Sequence, residues 1–177
     1  NHKGDIWNLF DLNKGQTRFY LEQQYNFPTK NLINIEKQLK TILQIPEDFI
    51  VNNELGWMIS YAEEGYICEL HADQGPPTHS KDSDLYHTRL NVMISKPEKG
   101  GDPIIMKEEV NLRRERSTFP YVIEREENEP WVCVAGIFAH STVEVKGKKP
   151  RILISLGYDL SKKFLRDKGH IIDENIR

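Results

Sequence analysis

The sequence predicts a mainly β protein, built as a sandwich or a jelly-roll barrel. Between residues 51 and 160, short apolar stretches that favour strands recur at close intervals. Turn-forming residues separate these stretches, and no helical pattern comes between them. Roughly eight short strands with turns and without intervening helices are typical of sandwiches and barrels.

Residues 1–50 are expected to form a helical flank in front of the barrel. In PTKNLINIEKQLKTILQIP, apolar residues recur at helical spacing between Pro28 and Pro46, which mark the two ends of a helix. The period changes at Val51, so the barrel, residues 51–160, is expected to start there.

The strands of the barrel are predicted between its turns. GWMISYAEEGYICELHAD predicts two strands around the turn Glu63-Glu64-Gly65, and TRLNVMISKPEKGGDPIIM predicts two more around KPEKGG. YVIERE, WVCVAGIF, STVEV and RILISLGYDL predict four further strands, with the turn KGKKP before the last one. Residues 161–177 are expected to form a C-terminal helix and a tail.

The length and the composition indicate one globular domain, residues 1–177. Of the 177 residues, 38% are hydrophobic and 29% are charged, which is sufficient for a single core. The formal net charge of −3 argues against a nucleic-acid partner, because phosphate binding usually requires a basic surplus. The basic run NLRRER is soon followed by EREENE, which favours a solvated loop of mixed charge.

Cysteine usage and hydropathy indicate a cytoplasmic protein without a membrane partner. Cys68 and Cys133 are too few for a disulfide framework, so we expect a reducing compartment. Both lie among apolar residues and are expected to be small core residues. No window approaches the ~18 apolar residues of a membrane span.

His71 and Asp73 stand one residue apart in CELHADQG, at the end of a predicted strand. Side chains two positions apart on a strand point to the same face, where burying both is costly unless another group compensates them. His140, in IFAHSTVEV at the edge of another predicted strand, is the third candidate. Two histidines and one carboxylate form the facial triad of non-haem Fe(II) sites, which leaves coordination positions open.

Arg151 follows His140 across the turn KGKKP and opens the apolar strand RILISLGY. Hairpin geometry predicts that it returns beside His140, with its side chain either in solvent or inside the barrel. Inside the barrel, its planar guanidinium would need an anion, such as a dicarboxylate, to compensate it.

His79 and His87 are alternative metal ligands. Their segment, QGPPTHSKDSDLYH, carries two prolines and many polar residues, and it is interpreted as a mobile loop. Because residues 74–86 directly follow Asp73, they form either a lid over the substrate or an ordinary surface loop. Glu69 shares the face of His71 and lies either in the cavity, near the substrate, or at its rim.

The order of these motifs resembles that of the Fe(II)/2-oxoglutarate-dependent oxygenases. The HxD motif, then TRLNVMI and GGD, then AGIFAHSTVEV and an arginine at the start of the last strand follow one another between Gly56 and Asp159. SYAEEGYICELHAD is similar to the tyrosine-containing segment before HxD in prolyl hydroxylase-like enzymes. TRLNVMISKPEKGG is similar to the arginine-containing strand of the aspartyl/asparaginyl β-hydroxylase-like group.

The resemblance implies a double-stranded β-helix (jelly roll, cupin-like) with flanking N-terminal and C-terminal helices. It also implies that His71, Asp73 and His140 bind Fe(II). Arg151 would pair with the distal carboxylate of 2-oxoglutarate.

Three further residues match positions that matter in these groups. Tyr61 matches a tyrosine that hydrogen-bonds the co-substrate in prolyl hydroxylase-like enzymes. Asn91 matches a co-substrate histidine of the other group, and its amide could donate a comparable hydrogen bond. Arg89 would lie near the substrate in that group; a surface salt bridge is the alternative.

The implied activity is that of a dioxygenase acting on a C–H bond. It would use 2-oxoglutarate and O2, release succinate and CO2, and hydroxylate an amino acid, a peptide or a small metabolite. The sequence does not identify this primary substrate, because specificity lies in the loops. Nucleobase repair is disfavoured by the acidic balance.

Two alternatives to this activity stay open. One is a cupin-type metalloenzyme that needs no 2-oxoglutarate, which would have no use for a dicarboxylate anchor at Arg151. The other is a non-catalytic binding or sensing barrel, against which the complete triad argues.

Overall fold

The protein is mainly β in this computed structural model, which describes residues 10–11, 16–21, 29–48, 56–73, 85–109 and 120–170. Those residues contain nine strands and two helices. The strands form two sheets, and every pairing within them is antiparallel. The predicted mainly β class with few helices is therefore confirmed.

The strands form one sheet of six and one sheet of three. The strands are β1 Phe10–Asp11, β2 Gln16–Leu21, β3 Trp57–Ala62, β4 Leu85–Ser95, β5 Pro103–Glu109, β6 Pro120–Val122, β7 Pro130–Cys133, β8 Phe138–Thr142 and β9 Arg151–Ser161; the helices are α1 Thr29–Leu43 and α2 Lys162–Asp167. The order is β1-β2-β3-β9-β4-β7 in the larger sheet and β6-β5-β8 in the smaller sheet.

Strand β9 lies inside the larger sheet, between β3 and β4. Its sequence RILISLGYDLS is apolar at most positions, as expected for a strand that is buried on both faces. Leu156 belongs to one hydrophobic core together with Leu39 of α1 and Leu165 of α2. Leu153 belongs to a second core with Trp131. The helices thus cover one face of the sheet and leave the other face to the smaller sheet.

The N-terminal flank is not only helical, which corrects the expectation for residues 1–50. Helix α1 lies where the periodicity placed it, but β1 and β2 precede it. Strand β2 pairs with β3 along its whole length, from Gln16↔Ala62 to Leu21↔Trp57. Its sequence QTRFYL contains threonine and two aromatic residues, which favour strands, a signal that the sequence analysis missed.

Two further expectations need correction. The segment from Tyr66 to Leu70 is not a strand; it is irregular and is followed by an isolated β-bridge between His71 and His140 of β8. His87 does not lie in a loop, because β4 begins at Leu85. His79 and residues 74–84 lie outside the described residues, as do NLRRER and residues 171–177 of the tail.

The C-terminal helix α2 begins directly after β9. Ser161 caps it, since its side chain accepts a hydrogen bond from the Phe164 amide at 3.1 Å. Among the described residues, no helix is long and apolar enough to cross a membrane.

Candidate metal centre

A cavity of about 230 Å³ lies between the two sheets. Strands β3, β4, β7 and β9 line it on one side, and β5 and β8 line it on the other. The segment that runs from Tyr66 to Asp73 closes one end. The candidate residues His71, Asp73, His140 and Arg151 all line this cavity.

The two histidines are held together by backbone pairing. The His71 amide donates to the His140 carbonyl at 3.1 Å, and the His140 amide donates to the His71 carbonyl at 2.7 Å. Nearby, the Cys68 amide donates to Thr142 Oγ1 at 2.9 Å, and Ser141 Oγ donates to the Cys68 carbonyl at 2.6 Å. These bonds fix the irregular segment along β8, and the two imidazole ring centroids lie 4.4 Å apart.

In His71 and in His140, Nδ1 contacts a backbone carbonyl and Nε2 faces Asp73. Nδ1 of His71 lies 2.7 Å from the Glu69 carbonyl, and Nδ1 of His140 lies 3.2 Å from the Phe138 carbonyl. A carbonyl accepts only from a protonated nitrogen, so in each ring Nε2 is the nitrogen that could bind a metal once the ring is neutral. This is the arrangement of histidines that bind metals.

The three potential ligand atoms converge on one position. Nε2 of His71 and Nε2 of His140 lie 3.4 Å and 3.9 Å from Asp73 Oδ1. One ligand atom from each residue lies within 4.8 Å of the other two. Two imidazole nitrogens and one carboxylate oxygen at these separations could hold a metal ion.

The charges at this position favour a cation beside the carboxylate. Hydrogen bonds with Asp73 and Cys68 raise the pKa of His71 to about 10. Burial alone would raise the pKa of Asp73, but the hydrogen bond with His71 and the neighbouring positive charges outweigh it and lower that pKa to about 2. Asp73 is therefore ionised at neutral pH, as a metal ligand must be.

The side chain of Arg151 is buried. Hairpin geometry alone had allowed it to lie either in solvent or inside the barrel. Its residue is 4% exposed, and its Nε donates to the Gly101 carbonyl at 2.7 Å. Gly101 has a φ of +74°, and a Cβ there would lie 2.7 Å from Cγ of Pro97 and 3.1 Å from Cδ of Arg151. A glycine is thus needed both for the turn and for the close approach of the arginine.

Arg89 and Asn91 lie in the same cavity, on β4. Arg89 is buried, so it is not a surface salt bridge, and its Nε lies 3.9 Å from Asp73 Oδ2. Asn91 is buried as well, and its Nδ2 donates to the Arg89 carbonyl at 3.4 Å.

Tyr61 does not line the cavity, which corrects the position that the resemblance implied, and neither does Glu69, for which the rim was the open alternative. Side chains of β3 alternate, so Ser60 faces the cavity and Tyr61 faces the other way. Glu69 is exposed, and its carbonyl lies 2.7 Å from Nδ1 of His71. Tyr66 lines the cavity instead, because the turn at Gly65 reverses the chain before it.

His87 is fully buried on β4 and lies behind Asp73. Its Nε2 lies 3.4 Å from Asp73 Oδ2, whereas His71 and His140 approach the other oxygen, Oδ1. Its Nδ1 lies 3.9 Å from Oδ1 of Asp159. Burial, reinforced by the charge of the neighbouring arginine, lowers the pKa of His87 to about 4, so the ring is neutral at physiological pH.

Both cysteines line the cavity, whereas the sequence analysis expected them only as small core residues. Cys133 is buried, and burial raises the pKa of its thiol to about 12. Cys68 Sγ lies 3.8 Å from Nδ1 of His71. Trp131 and Ile105 add apolar walls on opposite sheets.

Comparison with known proteins finds distant likenesses only. No protein-family model matches the sequence, and no curated protein matches it significantly. The viral collagen prolyl hydroxylase of Paramecium bursaria Chlorella virus-1, solved as a 2OG complex, is 12% identical; the match covers 86% of this chain and 83% of that chain, with a TM-score of 0.48. IDO from Bacillus thuringiensis is 14% identical, over 89% of this chain and 79% of that chain, with a TM-score of 0.36.

Proposed function

We propose that this chain is an Fe(II)- and 2-oxoglutarate-dependent dioxygenase, folded as a single double-stranded β-helix (jelly-roll) domain. One observation carries the proposal: the same cavity contains the group His71, Asp73 and His140 and the buried Arg151. The triad alone would suit several metalloenzymes. The buried guanidinium of Arg151 in the same cavity could bind a carboxylate near the metal through two parallel charge-assisted hydrogen bonds.

The donor set fits Fe(II). Two neutral imidazoles and one carboxylate leave coordination positions open for other ligands, as non-haem iron oxygenases require. Nε2 of His71, Nε2 of His140 and Oδ1 of Asp73 would hold the ion. With Fe(II) and 2-oxoglutarate bound, the centre would supply the activation of O2 that yields succinate, CO2 and a hydroxylated C–H bond.

Arg151 would bind the distal carboxylate of 2-oxoglutarate. Its bond to the Gly101 carbonyl fixes the orientation of the guanidinium plane before any ligand arrives. Asn91 and Tyr66 would add neutral hydrogen bonds to the co-substrate, with Tyr66 in the role that Tyr61 cannot fill from the outer face of β3.

The remaining cavity residues would exclude water and receive the substrate. Trp131, Ile105 and Leu153 form apolar walls that keep the reacting position dry. The Arg89 side chain extends from β4 into the cavity and reaches to 3.9 Å from Asp73. There it would contact a polar group of an amino acid, a peptide or a small metabolite. Neither cysteine forms a disulfide, and a cytoplasmic location stays a prediction.

A succinate-release assay tests this function. The purified chain, with Fe(II) and 2-oxoglutarate, should release succinate slowly without a primary substrate and faster with its substrate from a panel of amino acids and peptides. Asp73→Ala should abolish both rates. Succinate release by the Asp73→Ala protein at the wild-type rate would contradict the proposal.

A further inference from the structure

His87 is a buried imidazole that has no hydrogen bond for either ring nitrogen among the described residues. Its residue is 0% exposed. Buried polar groups are nearly always hydrogen-bonded, because losing water without a replacement partner costs free energy. A polar group close enough to form a hydrogen bond with the His87 ring after a small movement would therefore be favoured as its partner.

The backbone holds this ring in place relative to Asp73. The Gly136 amide donates to the His87 carbonyl at 2.8 Å, and the Asp73 amide donates to the Ala135 carbonyl at 2.8 Å. A Cβ at Gly136 would lie only 2.9 Å from the His87 nitrogen, so the turn packs directly against β4. One turn thus fixes both the histidine and the carboxylate.

The two oxygens of Asp73 face different partners. Oδ1 lies 3.4 Å from Nε2 of His71 and 3.9 Å from Nε2 of His140. Oδ2 lies 3.4 Å from Nε2 of His87 and 3.9 Å from Nε of Arg89. On the other side of the His87 ring, Asp159 is 0.5 Å farther from the nearest ring nitrogen than Asp73 is, at 3.9 Å against 3.4 Å.

We propose that His87 is a positioning residue for the metal-binding carboxylate: its Nε2–H donates to Asp73 Oδ2 and leaves Oδ1 alone for the ion. The 3.4 Å separation is slightly longer than a hydrogen bond, so in this proposal the bond forms when either side chain rotates slightly as the ion binds. This role rests on the proposed metal centre. Groups that orient metal ligands in this way typically change metal affinity about 10–100-fold when they are removed.

The test compares two substitutions of the same buried residue. His87→Leu removes the donor, and His87→Gln returns an amide N–H near the position of Nε2. We expect His87→Leu to weaken Co(II) or anaerobic Fe(II) binding about 10–100-fold, measured by calorimetric titration. His87→Gln should recover most of that loss. The ligand-field absorption of bound Co(II) should shift in His87→Leu and return toward wild type in His87→Gln.

Thr88→Val is the matched control, since Thr88 is equally buried, is the next residue of β4 and points to the other face. It should keep wild-type metal affinity. If His87→Leu does not fold in thermal unfolding, His87→Asn replaces it, because the shorter amide stays polar but does not reach Asp73. Unchanged affinity in the folded His87→Leu or His87→Asn protein, or an equal loss in His87→Gln, would overturn the inference while leaving the metal centre standing. A wild-type chain that binds no divalent ion would overturn both.

Discussion

Asp73 lies between the two histidines that line the cavity and a third histidine buried behind it. His71, His140 and His87 all approach its carboxylate, two at Oδ1 and one at Oδ2. The HxD spacing alone could predict that His71 and Asp73 share a face. It could not predict His87, because the polar, proline-containing segment around it suggested a loop rather than the first residues of a strand.

Removing any one of His71, Asp73 or His140 should abolish metal binding. In the proposed centre each would supply one of the three ligand atoms found among the described residues, and none of the three side chains belongs to a hydrophobic core there, so the fold should survive. Metal content after reconstitution and the thermal unfolding midpoint measure the two effects separately. Glu69→Ala, an exposed carboxylate beside the site, is the control and should keep the metal. Full metal content in one alanine variant would remove that residue from the site.

Metal binding should release a proton. In the metal-free protein the pKa of His71 is raised to about 10, so at pH 8 the ring is charged and must lose a proton before it binds the ion. The apparent affinity should therefore keep rising with pH up to about 10 instead of levelling off above the ordinary histidine pKa of about 6.5. Titration calorimetry at pH 8 in buffers of different ionisation enthalpy should show about one proton released per ion. Binding without proton release would contradict the assignment of His71.

Tyr66 and Tyr61 should differ in their effect on 2-oxoglutarate. Tyr66 lines the cavity and Tyr61 does not, because strand alternation turns Tyr61 outward. Loss of one neutral hydrogen bond costs about 0.5–1.5 kcal/mol, so Tyr66→Phe should weaken co-substrate binding about 2- to 13-fold. Tyr61→Phe, the matched control, should change it little. The affinity of both variants for 2-oxoglutarate is measured by titration in the presence of metal. A larger loss in Tyr61→Phe than in Tyr66→Phe would contradict the role of Tyr66.

Helix α1 is joined to the larger sheet by a hydrogen bond to the carboxylate of Glu36. Tyr158 Oη donates to Glu36 Oε1 at 2.6 Å, Lys40 Nζ lies 2.8 Å from the same oxygen, and Lys40 Nζ also donates to the Glu47 carbonyl at 3.1 Å. Tyr158→Phe would leave a partly buried carboxylate with one hydrogen bond fewer. It should lower the free energy of unfolding by about 1–3 kcal/mol, measured by urea denaturation.

This anchor lies on the helical face of the sheet, away from the cavity. Tyr158→Phe should therefore leave metal affinity unchanged. Thr41→Ala is the control, since its hydroxyl is exposed on α1 and bonds only locally, to the Lys37 carbonyl; it should change stability little. Loss of metal affinity in Tyr158→Phe, or no loss of stability, would show that the helix is attached differently.

The elements that the sequence predicted well are those with one dominant period. RILISLGYDL became β9 and the heptad-like apolar positions of NLINIEKQLKTIL became α1, because burial and local preference agree there. Strand β2 was missed because its sequence QTRFYL has no alternation of polar and apolar residues and because it pairs with β3, which is distant in sequence. The segment before His71 was predicted as a strand, but Cys68 within it bonds to side chains of β8 instead of to its backbone.

The residues of the candidate site come from three segments that are far apart in sequence. The irregular segment supplies His71 and Asp73, β8 supplies His140, and β9 supplies Arg151. Sequence order could indicate which residues belong together. It could not give the distances, because these depend on how the two sheets pack and on the turn that fixes Asp73 against β4.

The proposed function depends on the claim that Arg151 binds a carboxylate beside the metal. The affinity of the Fe(II) protein for 2-oxoglutarate measures this binding. The Fe(II) protein is titrated anaerobically with 2-oxoglutarate for wild type, Arg151→Lys and Arg151→Ala, with exposed Lys149→Ala as the control cation. Truncating one partner of a buried charge pair costs about 2–5 kcal/mol, so Arg151→Ala should bind roughly 30-fold to several-thousand-fold more weakly. Arg151→Lys keeps the charge but loses the planar fork, and it should fall between wild type and Arg151→Ala. Iron content should be unchanged in all variants. Unchanged affinity in Arg151→Ala, or no 2-oxoglutarate binding by the wild-type protein, would contradict the claim.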